Sequence, residues 1–478
     1  MPAIRPRHDH QPQDLPTTTY DVIVVGAGPT GENVADYAVR GGLSAVLVEA
    51  ELVGGECSYW ACMPSKALLR PIEALSDAQR VGGAREAVTG PLDVPAVFAR
   101  RDSFTSGWDD AGQVRWAESA GIALARGAGR LTGVKTVEVG GVTLTARHAV
   151  VLCTGTRAAV PPVAGLADSR PWTSREATSS SEVPARLAVM GGGVVGVEMA
   201  FAWQALGSQV TLLERSERVL AGNEPEAGTR IMQALRDRGV EVRTQVSVTK
   251  VVRDTAVTLT LDDGSTLEAD EVLLAVGRQP RTDDLGLETV GLEPGSWLTV
   301  DDTLRVEGTD WLYAAGDVNH RALLTHMGKY QARVAGTVIA ARAQGRPLGG
   351  AWSQHAATAD HRVVPQAVFS DPPLTAVGLT EAAARKAGLD VRTVSYDVGS
   401  TAGGSLYADD NPGWAQLVVA GDRLVGATFL GPGVTEMVHA ATVAIVGEVP
   451  LQRLWHAVPS YPTMSEVWLR LLDQLPHG

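Results

Sequence analysis

The chain has 478 residues, a length that predicts about three domains of 100–200 residues each. Its formal net charge is −13, so nonspecific binding to nucleic acid or to an anionic membrane is not expected. Three cysteines are too few for a disulfide-stabilised secreted scaffold. Residues 1–19 are polar and proline-rich, have no apolar signal-peptide core, and are predicted to form a disordered tail. Because no apolar run is long enough to cross a bilayer, we expect a cytoplasmic protein.

Two segments of the chain repeat the same order of elements. The first passes from the apolar run 21–25 through a glycine turn to a helix, and ends in the apolar run 45–49. The second does the same between the runs 187–190 and 210–214. Strand, glycine turn, helix, strand and terminal acid together form the βαβ fingerprint of dinucleotide binding. One such glycine pattern could arise by chance among 52 glycines, but two complete copies make chance improbable.

Each position of the fingerprint has a physical reason. Gly26 permits the tight turn, and Gly28 lets a pyrophosphate approach the backbone. Gly31 lets the helix pack closely on the strand, while the helix N-terminus stabilises the phosphate charge. Glu49 follows about 20 residues later, where a carboxylate can hold ribose hydroxyls. The equivalent residues of the second copy are Gly191, Gly193, Gly196 and Glu214.

Other segments of the chain carry shorter strand, turn and helix patterns. Further β-like runs are predicted at 149–153, 271–276, 312–317, 415–419 and 424–430. Turn-forming residues accumulate at 345–350, which predicts the last domain boundary there. An amphipathic helix is predicted from about Glu436 to Val446.

Cys57 and Cys62 lie five positions apart, directly after the glycine pair 54–55. In a continuous helix this spacing would separate them by about 7.5 Å along the axis, whereas a disulfide needs Cα atoms roughly 4.4–6.8 Å apart. If they bond, Cys57 must therefore lie in a bend before or at the start of a helix. Two structural cysteines or a metal site are weaker alternatives, since no further ligand lies nearby. Cys153, on a predicted buried strand, is interpreted as structural.

From about residue 20 to its end, the chain resembles the class I pyridine nucleotide-disulfide oxidoreductases, which include dihydrolipoamide dehydrogenase, glutathione reductase and mercuric reductase. The motifs that carry the resemblance are Cys57 to Cys62 with Pro64, Ser65 and Lys66, then Thr154-Gly155, Val276-Gly277-Arg278 with Pro280, Tyr313 to Asp317, and Phe369 to Gly378. This family is an enzyme family, and the resemblance implies FAD and NADH (or NADPH) as cofactors.

The resemblance also implies the fold. We expect an α/β protein with two Rossmann-like dinucleotide-binding domains and a C-terminal α+β dimerisation domain. The FAD-binding domain is expected to be discontinuous, at 20–155 and 281–348. The NAD(P)-binding domain is expected at 156–280 and the dimerisation domain at 349–478. The family implies a homodimer in which the C-terminal domain completes the active site of the partner subunit.

The roles of individual residues follow from the same resemblance. The first fingerprint is expected to bind FAD and the second NAD(P)H. Further cofactor-binding residues are expected to be Lys66, Gly129, Thr154, Gly155, Gly277, Asp317 and Thr325. Lys66 is expected beside flavin N5, paired with Glu198. Cys62 is then the charge-transfer thiolate, and Cys57 is the interchange thiol that meets a small-molecule acceptor. No metal site is expected.

The chain departs from the family near its C-terminus. Where most members have His-Pro-Thr-x-x-Glu, this chain has Tyr461 before the proline and Glu466 in the acid position. An unperturbed tyrosine titrates near pH 10, so it is a poor proton shuttle near neutrality. His456, five residues upstream, is a weaker substitute. The chain also ends without the cysteine pair of mercuric reductase, which disfavours that enzyme.

Three interpretations of the function follow. A small disulfide is the leading candidate for the acceptor, because the cysteine motif is intact. A quinone, metal ion or dye is the first alternative, and a flavoprotein subunit docked in a multienzyme complex is the second. Glu214 favours NADH, because a carboxylate there repels a 2′-phosphate, although Arg215 and Arg218 follow it. Tyr59 and Trp60 either narrow the thiol site or pack in the interior.

Overall fold

A computed structural model describes residues 9–475 as two compact units. The first unit comprises the described part of 1–64 together with 102–158 and 278–361. The second comprises 65–101, 159–277 and the described part of 362–478. The junctions at 158 and 278 lie within about three residues of the predicted limits of the NAD(P)-binding domain. Within the second unit, that segment is grouped with the C-terminal part and with the helical segment 65–101.

The elements are numbered in chain order. The strands are β1 (Thr19–Val25), β2 (Ala45–Glu49), β3 (Ala123–Arg126), β4 (Arg130–Gly133), β5 (Thr136–Val139), β6 (Val142–Leu152), β7 (Thr156–Ala158), β8 (Arg186–Met190), β9 (Gln209–Glu214), β10 (Glu241–Thr244), β11 (Val248–Arg253), β12 (Val257–Leu261), β13 (Thr266–Ala269), β14 (Glu271–Leu274), β15 (Arg278–Pro280), β16 (Leu312–Ala314), β17 (Gln366–Val368), β18 (Leu374–Gly378), β19 (Val391–Asp397), β20 (Trp414–Ala420) and β21 (Arg423–Leu430). The helices are α1 (Pro29–Arg40), α2 (Gly55–Tyr59), α3 (Cys62–Gln79), α4 (Val94–Phe104), α5 (Ala111–Ser119), α6 (Ser174–Ser179), α7 (Val194–Ala205), α8 (Pro225–Asp237), α9 (Thr325–Ala343), α10 (Glu381–Lys386), α11 (Ala402–Tyr407), α12 (Val438–Val446), α13 (Leu451–Leu454) and α14 (Val467–Leu472). Short 3-10 turns lie at Pro12–Asp14, Arg85–Ala87, Ser106–Trp108, Leu287–Val290, Asp317–Asn319, Thr358–His361, Val398–Ser400 and Met464–Glu466.

The first unit is built on a seven-stranded sheet in the order β3-β2-β1-β6-β5-β4, with β16 pairing to β6. Four pairs are parallel: β3 with β2, β2 with β1, β1 with β6, and β6 with β16. Strands β4, β5 and β6 form an antiparallel meander. Helices α1 and α9 pack together over the parallel part, burying Val34, Ala38 and Val338. The fold therefore places the C-terminal ends of β1 and β6 and the N-terminus of α1 at one edge, where dinucleotides bind in such sheets.

The predicted N-terminal tail is partly structured. Residues 1–8 lie outside the described residues. The segment that follows contains the turn Pro12–Asp14, and the side chain of Gln13 donates a hydrogen bond to the Gly140 carbonyl at 2.7 Å. The backbone N–H of Arg126 donates to the carbonyl of His10 at 2.9 Å. The disorder expected for the described part of this segment is thus not observed, because main-chain groups of the first unit bind it.

The second unit contains three sheets. One is a parallel sheet of order β10-β9-β8-β14, and another is the antiparallel sheet β11-β12-β13. Helices α7 and α8 lie in the same stretch of the chain, between β8 and β10. The C-terminal part is a five-stranded antiparallel sheet of order β17-β18-β21-β20-β19. Helix α12 packs on β21 and β18 of that sheet. The strands predicted at 415–419 and 424–430 and the helix predicted at 436–446 are confirmed, as is the α/β fold class.

Candidate functional site

The first fingerprint forms the tight βαβ unit that its glycines predict. A Cβ atom on Gly31 would lie 1.9 Å from the carbonyl oxygen of Gly26, so only glycine lets α1 start this close to β1. Glu49 is the last residue of β2, and its side chain contacts the glycine turn that follows β1. Its two carboxylate oxygens accept hydrogen bonds from the N–H groups of Ala27 at 2.7 Å and Glu51 at 2.8 Å. Burial raises the pKa of Glu49, and these two hydrogen bonds counteract that rise.

The second fingerprint has the same geometry in the other unit. A Cβ atom on Gly196 would lie 1.9 Å from the carbonyl oxygen of Gly191, as in the first copy. The carboxylate of Glu214 accepts hydrogen bonds from the N–H groups of Gly192 at 2.6 Å and Ser216 at 2.7 Å. Burial acts to raise its pKa, but these hydrogen bonds lower the pKa on balance. Each unit therefore carries one glycine turn of the same geometry, and the two turns with their acids are called the first and the second cradle.

The first cradle contains buried polar atoms that lack a partner among the described residues. These are the hydroxyl oxygen of Thr154 and the Oε1 atom of Glu32. A buried polar group without a hydrogen bond costs about 1–3 kcal/mol, so native proteins retain such groups where a ligand satisfies them. Thr154 follows strand β6, and Glu32 lies in the first turn of α1. Their positions fit an FAD molecule lying across this edge of the sheet.

Asp317 occupies the same edge, just after β16. Its Oδ2 atom accepts a hydrogen bond from the hydroxyl of Thr156 at 2.8 Å. Arg278 also hydrogen-bonds to Thr156, and its Nε atom lies 4.0 Å from the Asp317 carboxylate. Burial raises the pKa of Asp317, and the Thr156 hydrogen bond and the Arg278 charge counteract the rise. The carboxylate is thus held in place and oriented by neighbours from β7 and β15.

The two cysteines lie on separate helices, as the disulfide geometry requires. Cys57 is in the five-residue helix α2, which ends at Tyr59, and Cys62 is the first residue of α3. Helix α2 packs directly on the first cradle, because a Cβ atom on Gly55 would lie 2.8 Å from the Cα atom of Gly28. Cys57 precedes the start of α3 as predicted, but it lies inside the short helix α2 and not in a bend, and the break falls after Tyr59. Helix α2 thus places Cys57 beside the first glycine turn.

Both cysteines are thiols in this structure, and they interact. The pKa of Cys57 is raised by its hydrogen bond with Cys62 and by burial, and Lys329 on α9 acts in the opposite direction. The Sγ atom of Cys62 lies 3.3 Å from the hydroxyl of Thr325, which begins α9. Thr325 is the residue expected at the pyrimidine end of the flavin, so the first unit brings the thiol pair and the expected cofactor residues together.

Tyr59 and Trp60 pack in the interior, which decides an alternative that the sequence left open. Each is 1% exposed, and they form a cluster with Leu52 and the partly buried Trp108. The hydroxyl of Tyr59 donates to the carbonyl of Val53 at 3.1 Å. The bulk of these two side chains therefore anchors α2 and does not narrow the access to the thiols.

Lys66 and Glu198 form the pair that the resemblance implies. The Nζ atom of Lys66 donates to Oε2 of Glu198 at 2.7 Å, and the Glu198 side chain is 4% exposed. The other carboxylate oxygen accepts from the backbone N–H of Phe369 at 3.0 Å. The ammonium also lies 4.8 Å from the centre of the Phe369 ring. All three residues belong to the second unit, and Lys66 is thereby fixed in one orientation.

Tyr461 and Glu466 differ sharply in their surroundings. The Tyr461 side chain is 77% exposed, whereas Glu466 is 4% exposed. The carboxylate of Glu466 accepts from the N–H of Gly403 at 3.3 Å and pairs with Arg470 at 3.4 Å. In this unit Glu466 therefore holds the start of α11. His456 contacts the Trp455 ring edge-on at 5.0 Å.

The remaining predicted cofactor residues are distributed over both units. Gly129 packs against Val48 and Val25 at the ends of β2 and β1, and Gly155 follows Thr154 in the first unit. Gly277 follows β14 and belongs to the second unit. Cys153 is 7% exposed and its N–H donates to the carbonyl of Val25, in agreement with a structural role.

Four functional candidates were missed by the motifs: Glu32, Glu56, Thr156 and Arg281. Glu32 was detectable as a charged residue directly after the third fingerprint glycine, where the helix is buried. Glu56 precedes Cys57 directly, which is also visible in the sequence. Thr156 and Arg281 gave no signal, because their contacts join segments more than a hundred positions apart.

The described residues 9–475 contain no cluster of three or more His, Cys, Asp or Glu side chains that could hold a metal ion. Over the same residues, no helix has the length and apolar character needed to cross a membrane.

Comparison with known proteins identifies the family. The pyridine nucleotide-disulphide oxidoreductase family matches residues 20–345, and the dimerisation domain of the same family matches residues 364–471. The chain belongs to the pyridine nucleotide-disulphide oxidoreductases. It is 32% identical to the dihydrolipoyl dehydrogenase of Thermus scotoductus over 468 residues, which cover 96% of this chain and 97% of the relative. It is 30% identical to the mercuric reductase of Staphylococcus aureus over 457 residues, covering 94% and 81% respectively.

Solved structures of other proteins share the fold of this pyridine nucleotide-disulphide oxidoreductase. The HOCl-induced flavoprotein disulfide reductase RclA from Escherichia coli superposes with a TM-score of 0.81 at 24% identity, covering 96% of this chain and all of RclA. LpdA from Mycobacterium tuberculosis gives a TM-score of 0.81 at 23% identity with the same coverage. As a member of the family, the protein is an oxidoreductase that uses FAD and NAD(P)H, as the sequence predicted.

Proposed function

We propose that this flavoprotein passes electrons from a nicotinamide to the Cys57–Cys62 pair and then to a small acceptor, with a small disulfide as the leading candidate. FAD, when bound, supplies the hydride-accepting ring between the nicotinamide and the cysteine pair. The single observation that supports this path best is the position of the thiols. Cys62 contacts Thr325 at 3.3 Å, and the helix that carries Cys57 packs on Gly28 of the first cradle.

The protein groups have separate tasks in this proposal. Lys66, fixed by Glu198, would supply a cation that favours negative charge on a bound flavin. Cys57 attacks the disulfide acceptor as a thiolate, which forms a mixed disulfide and releases one thiol. Cys62 then attacks Cys57, releases the second thiol and restores the internal disulfide. Each cycle therefore moves two electrons and takes up one proton from solvent, because the nicotinamide supplies the other hydrogen of the two departing thiols as hydride.

The exposed Tyr461 favours a second group of acceptors. Because general acid–base help is typically worth about 10²–10⁴-fold, a site without the usual histidine releases thiols slowly. Quinones, metal ions and dyes take electrons without that help. Hydride transfer from the nicotinamide does not involve Tyr461, so the two half-reactions should differ in rate.

Two variants at Tyr461 test the proposal. Flavin reduction by NADH is followed anaerobically by stopped flow, and turnover is measured with lipoamide, glutathione disulfide and a benzoquinone. Tyr461→His should raise disulfide turnover about tenfold or more and leave flavin reduction unchanged. Tyr461→Phe is the matched control and should leave both rates within about twofold. Fast disulfide turnover by the wild type, lowered in Tyr461→His, would contradict the role given to the tyrosine.

We also propose that the protein is a homodimer through its C-terminal part. Apolar side chains are unusually exposed there: Leu406 is 69%, Val458 77% and Val443 55% exposed. A groove of about 510 Å³ lies between Tyr407, Met437 and Pro462 on the same part of the second unit. Large exposed apolar patches mark protein interfaces, and this one lies within the matched dimerisation domain. A second copy of the chain is therefore the expected partner.

A preference for NADH completes the proposal. The Glu214 carboxylate is fixed at the second cradle by two backbone N–H groups, and its lowered pKa keeps it negative at neutral pH. A fixed negative charge accepts hydrogen bonds from ribose hydroxyls and repels a 2′-phosphate.

A further inference from the structure

Glu56 is an acidic residue that directly precedes Cys57 in the sequence. Glu56 lies with Cys57 in α2, and its carboxylate is bound by two arginines. The Nη2 atom of Arg281 donates to Oε1 of Glu56 at 3.1 Å. The Nη2 atom of Arg278 lies 3.5 Å from Oε2. The three side chains are between 24% and 36% exposed, so their charges are only partly screened by solvent.

The two arginines are themselves fixed by the main chain of the first unit. Arg278 Nη2 donates to the carbonyl of Thr156 at 2.9 Å, and Arg281 Nε donates to the same oxygen at 3.2 Å. Thr156 lies in β7, which pairs with β15 through Arg278 and its neighbours. The shared Thr156 carbonyl therefore fixes the positions of the two guanidinium groups, and the Glu56 carboxylate pairs with both of them.

We propose that Glu56, Arg278 and Arg281 set the reactivity of the Cys57 thiol, with Glu56 as a positioning residue that offsets the two cations. A negative charge beside a thiol disfavours the thiolate, and a positive charge favours it. Cys62 and Lys329 also face Cys57, the first disfavouring and the second favouring its ionised form. This inference rests on the proposed function, in which Cys57 is the thiol that attacks the acceptor.

The expected effect can be bounded from the charges. A unit charge roughly 7 Å from a thiol changes the thiolate population by about fiftyfold at an effective dielectric constant near 20. Glu56 is a quarter exposed and is partly neutralised by its arginines, so an effect of about three- to tenfold is expected. Removing Glu56 should raise the thiolate fraction by this factor, and removing Arg281 should lower it.

The test is alkylation of the reduced FAD-bound enzyme by iodoacetamide under anaerobic conditions, with the rate at Cys57 read by peptide mass spectrometry. Glu56→Gln should raise the rate at pH 7 about three- to tenfold and move the midpoint of the rate–pH profile to lower pH. Arg281→Gln should lower the alkylation rate at pH 7 and move the midpoint of the rate–pH profile to higher pH. The midpoint is the primary readout, because intrinsic nucleophilicity falls as the thiol becomes more acidic. Glu288→Gln, which removes a carboxylate paired with Arg130 elsewhere in the same unit, is the control and should change neither.

Opposite shifts in Glu56→Gln and Arg281→Gln would support the proposal, because a purely structural role would move both variants in the same direction. Shifts of the same sign, or rates within about 1.5-fold of the wild type, would overturn it and leave the proposed function intact. If the air-oxidised wild type contains no Cys57–Cys62 disulfide by thiol counting, the proposed function fails first, and this inference fails with it.

Discussion

Replacing Glu32 by glutamine should stabilise the protein, and more so at high pH. Glu32 lies in the first turn of α1, and burial raises its pKa from 4.5 to about 7. The charge of Glu49 raises it further, and that of Lys329 on α9 lowers it. The Oε1 atom has no hydrogen-bond partner among the described residues. Ionised Glu32 therefore destabilises the folded state. Glutamine has nearly the same shape and carries no charge, so it removes this destabilisation.

The sign and size follow from linkage. Because the folded state binds the proton more tightly than the unfolded state, stability is lost as pH rises from the unfolded pKa to the folded one. The full penalty above pH 7 is about 3 kcal/mol, from a shift of 4.5 to about 7 at about 1.36 kcal/mol per unit. Between pH 5.5 and pH 8.5, the advantage of Glu32→Gln over the wild type should thus grow by about 2 kcal/mol.

The assay is thermal unfolding of wild type and Glu32→Gln across this pH range after removal of FAD, because the penalty is worked for the cradle without a ligand at Glu32. At roughly 1–2 °C per kcal/mol for a chain of this length, the difference in Tm should widen by about 2–4 °C. Asp36→Asn on the same helix, where Asp36 pairs with the exposed Arg40, is the control. A Tm difference that does not change with pH, or a glutamine variant that is less stable at pH 8.5, would refute the reasoning.

Four further results are expected. Thiol counting should find the Cys57–Cys62 disulfide in air-oxidised wild type, and Cys62→Ser should abolish it together with disulfide turnover. Gly31→Ala should reduce FAD retention after gel filtration at least about tenfold, because its Cβ would lie 1.9 Å from a carbonyl oxygen; normal retention would contradict the cradle geometry. Glu214→Ala should lower the ratio of kcat/KM for NADH over NADPH by about tenfold, and an unchanged ratio would remove the basis for NADH preference. Leu406→Asp should shift the protein from dimer to monomer in light scattering at micromolar concentration, whereas a monomeric wild type would exclude the interface.

The sequence determined both dinucleotide cradles. Strand, turn, helix and acid lie within about 30 residues of one another, and only glycine fits at positions 31 and 196, where a Cβ atom would lie 1.9 Å from a carbonyl oxygen. Local spacing therefore fixes local geometry. A break in the helix between Cys57 and Cys62 was also predictable, because a disulfide cannot span five residues of one continuous helix. The short helix α2 that contains Cys57 was not predicted.

Only the tertiary structure decided the surroundings of these residues. Glu56 and Arg281 are 225 positions apart, and no periodicity relates them. Glu466 occupies the family's acid position, yet its carboxylate accepts a hydrogen bond from the Gly403 N–H, 63 positions away, a contact that depends on how α11 packs. Tyr59, whose role was open from sequence, is buried because long-range packing places Trp108 beside it. The charges around a site and its burial depend on long-range contacts between segments that are far apart in the sequence. Sequence spacing does not predict those contacts.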